Sequence, residues 1–371
     1  MKRKPLTLFL CALTLLLLAL SPWMLASFFS RPQAPRTYRG ILTMWHITDW
    51  RTGGSSITAF LQRRIAAFEA EHPHVFIELE TMSAAQASIV LRESSPDLIS
   101  YPSSFLPAAD FAPLPPQNII PAFAHPDSRA YPYLLGGYCI MVNTEILNEN
   151  GIDAPDGWGI RPDALAAAAA YGIAFAAEPG YSPLPAPALH AFPDAEGPNI
   201  NTWGAEPMPD IALNLAPVST DDPLASFCSS DVCVLIASHR QFGEVTSAFE
   251  QADAPAFAVY AIGGYTDMAQ YISVIPGDNP LQQDMCAEFA SYLVSARVQK
   301  KTSALGVFPA VPGLEVYSDD ACRAAMYRLL CDSPAYAPPD NAKEMDRLAR
   351  EAFGGNKRAL RQLRRMLQKG G

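Results

Sequence analysis

The chain has 371 residues, of which 49% are hydrophobic and 17% are charged, and its formal net charge at pH 7 is −10. This length allows two ordinary domains, each with its own core. The composition is that of a globular protein and excludes a disordered one. The acidic balance argues against nucleic acid as a partner.

Residues 1–36 have the sequence of an export segment. Three cations at positions 2–4 precede an almost wholly apolar run from Pro5 to Phe29. Its 25 residues are enough to span a bilayer core of about 30 Å. The small-residue pattern expected at a cleavage site is poor, with Leu-Ala-Ser at 25–27. The sequence therefore predicts either an uncleaved signal anchor or a cleaved signal peptide, and in both cases the body of the protein is extracytoplasmic.

Strands and helices alternate in the pattern of apolar residues after the export segment. A glycine- and hydroxyl-rich turn that ends at Ser56 supplies the N-cap of the first helix. A β-α-β-α-β series of this kind indicates a parallel, doubly wound sheet, in which ligands bind beyond the carboxyl ends of the strands. The predicted elements are strand 41–47, helix 57–71, strand 75–79, helix 84–92 and strand 96–100.

The rest of the chain predicts a second sheet, interrupted by a proline-rich span at 178–223. Ten prolines make this span long for a connection within one domain, and it carries Tyr181, His190 and Trp203. The predicted elements are strand 138–143, helices 144–150 and 161–171, strands 232–237, 256–262 and 271–275, helix 279–295, and helices near 320–330 and 342–369.

The end of the chain reverses its charge. Residues 356–369 contain six cations and no acid, and their leucines follow helical spacing. This pattern predicts a basic amphipathic helix. Packing on its own domain and contact with a membrane surface or a partner are both compatible with it.

Sequence motifs of catalysis are missing. None of G-x-S-x-G, H-E-x-x-H, the P-loop and G-x-G-x-x-G occurs in the chain. We therefore expect a binding protein and not an enzyme, with no cofactor and no metal, although a carboxylate pair for glycoside cleavage stays open. The close cysteine pairs Cys228/Cys233 and Cys322/Cys331 are compatible with disulfides or with free thiols.

Five segments, in order, resemble one protein family. They are ILTMWHITDW with the helix that ends in a Phe-Glu…His-Pro phrase, the Pro-Asp-Leu-Ile strand at 96–99, YCIMVNTEILNENGIDAP at 138–155, the span from Ile262 to Gly313 with its Gly-x-Phe-Pro-Ala end, and the final helices. Together they resemble the extracellular solute-binding proteins of bacterial ABC importers, in the family 1 type that binds sugars and includes maltose-binding protein.

The resemblance implies an α/β fold of type II, with two lobes, each a doubly wound sheet flanked by helices, and a ligand cleft between them. The implied N-terminal lobe is 37–135 plus 262–312, and the C-terminal lobe is 136–261 plus 313–371. The implied partners are a carbohydrate, which the lobes would close on by a hinge motion, and the permease subunits of an ABC importer. The protein would be a monomer, held at the membrane by its N-terminal segment or secreted.

The resemblance also places candidate ligand contacts on the loops that end strands. In the first lobe they are His46, Asp49, Trp50, Tyr101, Ser103 and Ser104; before the return strand they are Gly263, Gly264 and Tyr265; and in the second lobe they are Trp203, His239 and Arg240. Aromatic faces and planar polar groups are what sugars bind. The second lobe departs from the family, because Ala-Ser-His-Arg at 237–240 stands where a Gly-x-Trp is usual. That departure keeps open an alternative function, a membrane-anchored sensor or interaction protein that has lost transport.

Overall fold

The structure is a computed structural model. It describes residues 37–48, 51–105, 107–125, 127–154, 162–176, 181, 183–185, 218, 220–251, 257–262, 266–331 and 339–369. Residues 39–371 fall into one compact unit.

The first sheet has five strands, in the order β2-β1-β3-β9-β4. Its strands are β1 (Gly40–Ile47), β2 (Val75–Met82), β3 (Leu98–Pro102), β4 (Tyr131–Leu135) and β9 (Ala269–Val274). The β2-β1-β3 part is parallel, as the sequence predicts, whereas β9 is antiparallel to both of its neighbours. The sheet is therefore mixed, because β9 is contributed by the returning chain.

The helices of this lobe follow the local signals of the sequence. Helix α1 (Ile57–Glu71) begins where the Ser56 hydroxyl accepts a hydrogen bond of 3.1 Å from the amide of Ala59, and it buries Phe60, Leu61 and Phe68. The other elements are α2 (Ala84–Val90), a 3₁₀ turn at Pro121–Phe123, α7 (Pro280–Leu293), α8 (Ala296–Gln299) and a 3₁₀ turn at Thr302–Leu305.

The second sheet has four strands, in the order β6-β7-β5-β8. They are β5 (Tyr138–Asn143), β6 (Ile173–Phe175), β7 (Val234–Ser238) and β8 (Phe257–Ala261). Strand β5 is antiparallel to β7 and β8, and β6 is parallel to β7. The helices around it are α3 (Thr144–Glu149), α4 (Pro162–Ala169), α5 (Pro223–Cys228), α6 (His239–Gln251) and α9 (Ala321–Cys331).

Two antiparallel helices close the chain. The sequence predicts helix over 342–369, and the structure has α10 (Pro339–Phe353) and α11 (Lys357–Lys369), separated by a turn in which Gly355 has a φ of 91°. Leu360 and Leu363 of α11 are buried. The ring of Phe353 makes an edge contact of 5.3 Å between centroids with Phe175 of β6, so the pair of helices packs on the second lobe.

Among the residues described, no helix is long and apolar enough to cross a membrane. The cysteines in the same part of the chain are all free thiols, so neither close pair forms a disulfide. The described residues hold no group of three or more metal-ligating side chains.

Candidate functional site

The two sheets are joined by a short, glycine-containing link between β4 and β5. Leu135, the last residue of β4, exchanges backbone hydrogen bonds of 2.9 and 2.7 Å with Phe308. Gly136 and Gly137 follow, and Tyr138 already belongs to the second sheet. This link and the neighbouring segments form what we call the lobe junction, made of residues 135–138, 239, 266–268 and 308.

Gly136 is required by the close packing of the junction. A Cβ atom on this residue would lie 2.6 Å from Cβ of Met268 and 2.7 Å from Cε1 of His239. Its backbone is held on both sides, since its amide donates to the carbonyl of Met268 at 2.8 Å and its carbonyl accepts from the Thr266 hydroxyl at 3.1 Å. A larger residue fits here only if Met268 and His239 move.

His239 lies inside the junction. Its side chain is fully buried, and Nδ1 accepts a hydrogen bond of 3.3 Å from the amide of Gly137. Burial lowers its pKa from 6.5 to about 3, so the ring is neutral at physiological pH. The sequence predicts a ligand contact at this position. In this conformation the ring is closed off from solvent and supports the junction.

Polar groups from both lobes meet at the cleft edge, which we define as Ser103, Ser104, Tyr138, Tyr181 and Asp267. The Ser103 hydroxyl donates to the carbonyl of Asp267, and the Tyr138 hydroxyl donates to the Asp267 carboxylate. Asp267 is 6% exposed, so its carboxylate is held by protein groups and almost withdrawn from water. The amide of Ser103 also donates to the carbonyl of Ala269 at 2.8 Å, which fixes the end of β3 against β9.

Ser104 connects the lobes through a side-chain hydrogen bond. It is exposed, and its hydroxyl donates to the hydroxyl of Tyr181 at 3.2 Å. Tyr181 follows β6 of the second sheet and is itself buried. This bond brings together a residue that follows β3 of the first sheet and a residue of the proline-rich span at 178–223.

A second contact between the lobes involves the loop before α1. A Cβ atom on Gly53 would lie 3.4 Å from Cα of Arg240, and one on Gly243 would lie 3.7 Å from the carbonyl of Gly53. Arg240 forms an ion pair of 2.9 Å with Glu244 on the next turn of α6. The loop that follows the first strand therefore packs on the start of α6.

His46 belongs to a buried network within the first sheet. Its Nδ1 lies 3.0 Å from the Ser100 hydroxyl, which lies 2.8 Å from the hydroxyl of Tyr133. The Gln270 amide donates to Ser100 at 3.0 Å and to the carbonyl of Ile47 at 3.3 Å. The His46 ring is 1% exposed, and burial lowers its pKa to about 4. The sequence predicts that His46 contacts ligand, and the structure places it beneath the cleft edge, where it holds β1 and β3 together.

Tyr101 is likewise an interior residue. It is 5% exposed, stacks between the rings of Phe111 and Tyr271 at 5.8 and 5.9 Å, and bonds through its hydroxyl to Ser273. Burial raises its pKa to about 12. Its place at the carboxyl end of β3 agrees with the sequence, but its side chain packs into the core.

The predicted contacts thus separate into three groups. Ser103, Ser104 and Arg240 lie where the lobes meet, whereas His46, Tyr101 and His239 are buried in the sheet or the junction. Asp49, Trp50, Trp203, Gly263, Gly264 and Tyr265 lie outside the described residues.

Two residues of the cleft edge, Tyr138 and Asp267, and Gly53 of the second contact between the lobes are not among the predicted ligand contacts. Tyr138 reads as the start of a buried strand, and Gly53 as an ordinary turn residue. Asp267 follows the Gly263-Gly264 pair by three residues, and an acid so close to a predicted cleft loop was the one available signal.

The arrangement defines a class of fold: two α/β lobes joined by short crossing segments, with polar side chains where the lobes meet. This is the type II fold of periplasmic binding proteins, and the predicted fold is confirmed. No protein-family model matches the chain, and no curated protein sequence matches it.

The similarity of this chain to known proteins is found among solved structures. The chain is similar to a cyclic alpha-maltosyl-1,6-maltose binding protein from Arthrobacter globiformis, at 14% identity and a TM-score of 0.64, over 90% of this chain and 99% of that one. It is similar to the sugar-binding protein MalE from Xanthomonas citri, at 14% identity and a TM-score of 0.63, over 89% and 97%. The galacto-N-biose-/lacto-N-biose I-binding protein of the ABC transporter from Bifidobacterium longum matches at 13% identity and a TM-score of 0.57, over 90% and 97%.

Proposed function

We propose that the protein is an extracytoplasmic solute-binding protein that captures a sugar or oligosaccharide between its lobes for an ABC importer. One observation carries the proposal: a two-lobe fold shared over 90% of the chain with a sugar-binding protein, whose lobes meet in this chain at the cluster of hydroxyl and carboxylate groups of the cleft edge. In this function it is a binding protein and not an enzyme, and its partners are the permease subunits.

The chemistry of the cleft edge supports a carbohydrate ligand. Ser104 and Tyr181 present hydroxyls that now bond to each other across the lobes, and each could bond instead to a sugar hydroxyl. The predicted contacts Trp50 and Trp203 would supply the apolar faces on which sugar rings stack. The proteins to which the fold is similar are named for binding a cyclic maltosyl-maltose and lacto-N-biose, and a small saccharide of this kind is the ligand class that we infer.

The proposal is tested by titrating the full chain, in a neutral detergent that contains no sugar, with a panel of mono- and oligosaccharides. Tryptophan fluorescence and the melting temperature are the readouts. At a ligand concentration of 100 Kd, binding stabilises the folded state by about 2.7 kcal/mol, which is a shift of several degrees. A folded chain that responds to no sugar in the panel would exclude this function.

A matched pair of variants localises the binding. Trp50→Ala should weaken the affinity for the responding sugar by about tenfold or more, because a stacked aromatic ring is a typical anchor. Tyr171→Ala is the control, since Tyr171 is an exposed aromatic residue before β6, at the end of the second sheet away from the cleft edge. Equal affinities of the two variants would remove Trp50 from the site.

The alternative function is a membrane-anchored sensor or interaction protein with the same fold. It is favoured by the second lobe, where the segment Ala-Ser-His-Arg at 237–240 departs from the family's pattern and where His239 is fully buried in the junction. This function predicts no response to any sugar and a chain that is recovered from membranes without permease subunits.

A further inference from the structure

The final helix, α11, has a buried apolar side and an exposed, positively charged side. Its apolar residues Ala359, Leu360 and Leu363 are buried, and Leu360 packs with Ala352 of α10. The opposite side exposes Arg358, Arg361 and Arg365, which together with Gln362 line a shallow groove. We call Arg358, Arg361 and Arg365 the arginine face.

The arginine face is not neutralised by the residues around it. Both arginines of the adjacent helix α10 are paired, with Arg347 2.6 Å from Glu344 and Arg350 2.9 Å from Asp346. No ion pair among the described residues includes a member of the arginine face. Residues 357–369 hold six of the 27 cations and no acid in a chain whose net charge is −10. Such a concentration of positive charge in an acidic protein creates a local field that attracts anions.

The geometry of the face fits an extended anionic surface. Arg358, Arg361 and Arg365 are spaced at i, i+3 and i+7, so they lie in one row about 10 Å long on a straight helix. Guanidinium groups bind phosphate oxygens in a bidentate manner. Residues 357–369 include no aromatic side chain on which a base could stack, which disfavours single-stranded nucleic acid. Ala359, Leu360 and Leu363 are buried against the protein and are not available for insertion, so we expect contact with headgroups.

We propose that the arginine face docks on anionic phospholipid headgroups and orients the body of the protein on the membrane surface. The sequence of residues 1–36, basic and then apolar, predicts an export segment that brings the body to a bilayer, so the partner is within reach. The acidic remainder of the chain is repelled by the same lipids, and the two effects together select one orientation.

The test uses the full chain held by residues 1–36 in nanodiscs of phosphatidylcholine, which is neutral. These discs are mixed with sucrose-loaded vesicles of phosphatidylcholine alone or with about 30 mol% phosphatidylglycerol, and sedimented. We expect capture by the anionic vesicles only. Each arginine near such a surface contributes about fivefold in affinity, so Arg358→Gln/Arg361→Gln/Arg365→Gln should weaken capture by about a hundredfold. Salt near 1 M, where the screening length is about 3 Å, should abolish it.

A control variant removes the same charge elsewhere. Arg63→Gln/Arg92→Gln/Arg328→Gln changes three exposed arginines outside α11 and should leave capture unchanged. Equal loss in both variants would overturn the proposal, because net charge alone would then explain it. Capture by neutral vesicles would also overturn the proposal. Self-association of the discs without vesicles would overturn it too, because the arginine face would then bind a second copy of the acidic chain.

A chemical footprinting experiment on the unmutated chain tests the same proposal without requiring that any variant folds. Phenylglyoxal modifies accessible arginines, and mass spectrometry reads each site. The modification of Arg358, Arg361 and Arg365 should fall severalfold with anionic vesicles and not with soluble glycerol phosphate at the same phosphate concentration, while Arg92 stays unchanged. Unaltered modification of the arginine face, or equal protection by the soluble phosphate, would refute docking on a lipid surface.

Discussion

In the first lobe, His46, Ser100 and Tyr133 bond to one another within a single sheet. At the lobe junction, His239 bonds instead to Gly137, on the link between two sheets. Movement of one lobe against the other would leave the first set of bonds intact. It would also leave intact the His239–Gly137 bond at the end of the β5–β7 ladder, but it would strain the packing of the His239 ring on Phe308, whose centroid is 6.0 Å away. Two similar buried histidines therefore serve different purposes: one makes a lobe rigid, and the other stabilises one arrangement of the two lobes.

The largest expected effect breaks the junction. In Gly136→Ala the new methyl group meets Met268 and His239 at less than 3 Å, so the free energy of unfolding should fall by about 3 kcal/mol. Gly277→Ala is the matched control, since a Cβ there meets nothing within 4 Å, and it should change stability by less than about 0.5 kcal/mol. Urea denaturation measures both, and equal stabilities would show that the junction is loosely packed.

The next largest effect is the dependence of the unfolding free energy on pH that the two buried histidines cause. Both have folded pKa values below 6.5, about 4 for His46 and about 3 for His239, so the unfolded chain binds more protons as the pH falls. Their contribution to stability is fully present above pH 6.5 and is lost towards pH 4 and pH 3, respectively. Between pH 7 and pH 5 each should cost about 2 kcal/mol.

The measurement is the slope of unfolding free energy against pH. His46→Asn and His239→Asn should each flatten it between pH 6.5 and pH 4. His74→Asn, at an exposed position, is the control and should keep the full slope. If neither His46→Asn nor His239→Asn alters the slope, the pH dependence does not come from these two histidines.

A smaller effect belongs to the first lobe alone. Tyr133→Phe removes the hydroxyl that bonds to Ser100 and should lower stability by about 1 to 2 kcal/mol. Tyr171→Phe, at an exposed tyrosine, should change it by less than about 0.5 kcal/mol. Because the network lies within one sheet, Tyr133→Phe should not alter the response to sugars, and a weakened response would tie the network to the cleft.

The smallest effect concerns the hydrogen bond between the lobes. Ser104→Ala removes the hydrogen bond between the Ser104 and Tyr181 hydroxyls and should cost about 0.5 kcal/mol, with a small increase in the radius of gyration of the chain. Ser88→Ala, on the exposed side of α2, is the control and should leave the radius unchanged. Identical scattering from the two variants would mean that this bond does not hold the lobes together.

The fold was predictable wherever the signal was local. Helix α1 begins and ends at the predicted residues because the Ser56 cap and the apolar spacing both lie within the segment. Strand β4 was not predicted, since Pro132 argues against a strand unless the strand is at an edge, and the sequence alone does not reveal that β4 is one. Helix α6 was missed because its first residues, His239 and Arg240, were interpreted as a cleft loop.

The candidate site was less predictable because its contacts are distant in sequence. His46 stands 54 residues from Ser100, and Ser100 stands 170 residues from Gln270. A polar residue at the carboxyl end of a strand either lines a cleft or bonds to a buried partner that is distant in sequence. The local sequence does not distinguish these two cases, because the difference depends on the fold. Ser104 and Tyr181 meet for the same reason, across 77 residues.

The edges of the first sheet carry a further consequence, for aggregation. An open edge strand invites pairing with another chain. On β4, the side away from β9 is already hydrogen-bonded, since the carbonyl of Tyr133 accepts from the Gln299 amide at 2.9 Å and Leu135 exchanges backbone hydrogen bonds with Phe308. On β2, at the other edge, Glu78 and Glu80 are exposed and would bring like charges together if two copies met. The chain thus covers one edge with its own backbone and side-chain groups and protects the other by charge.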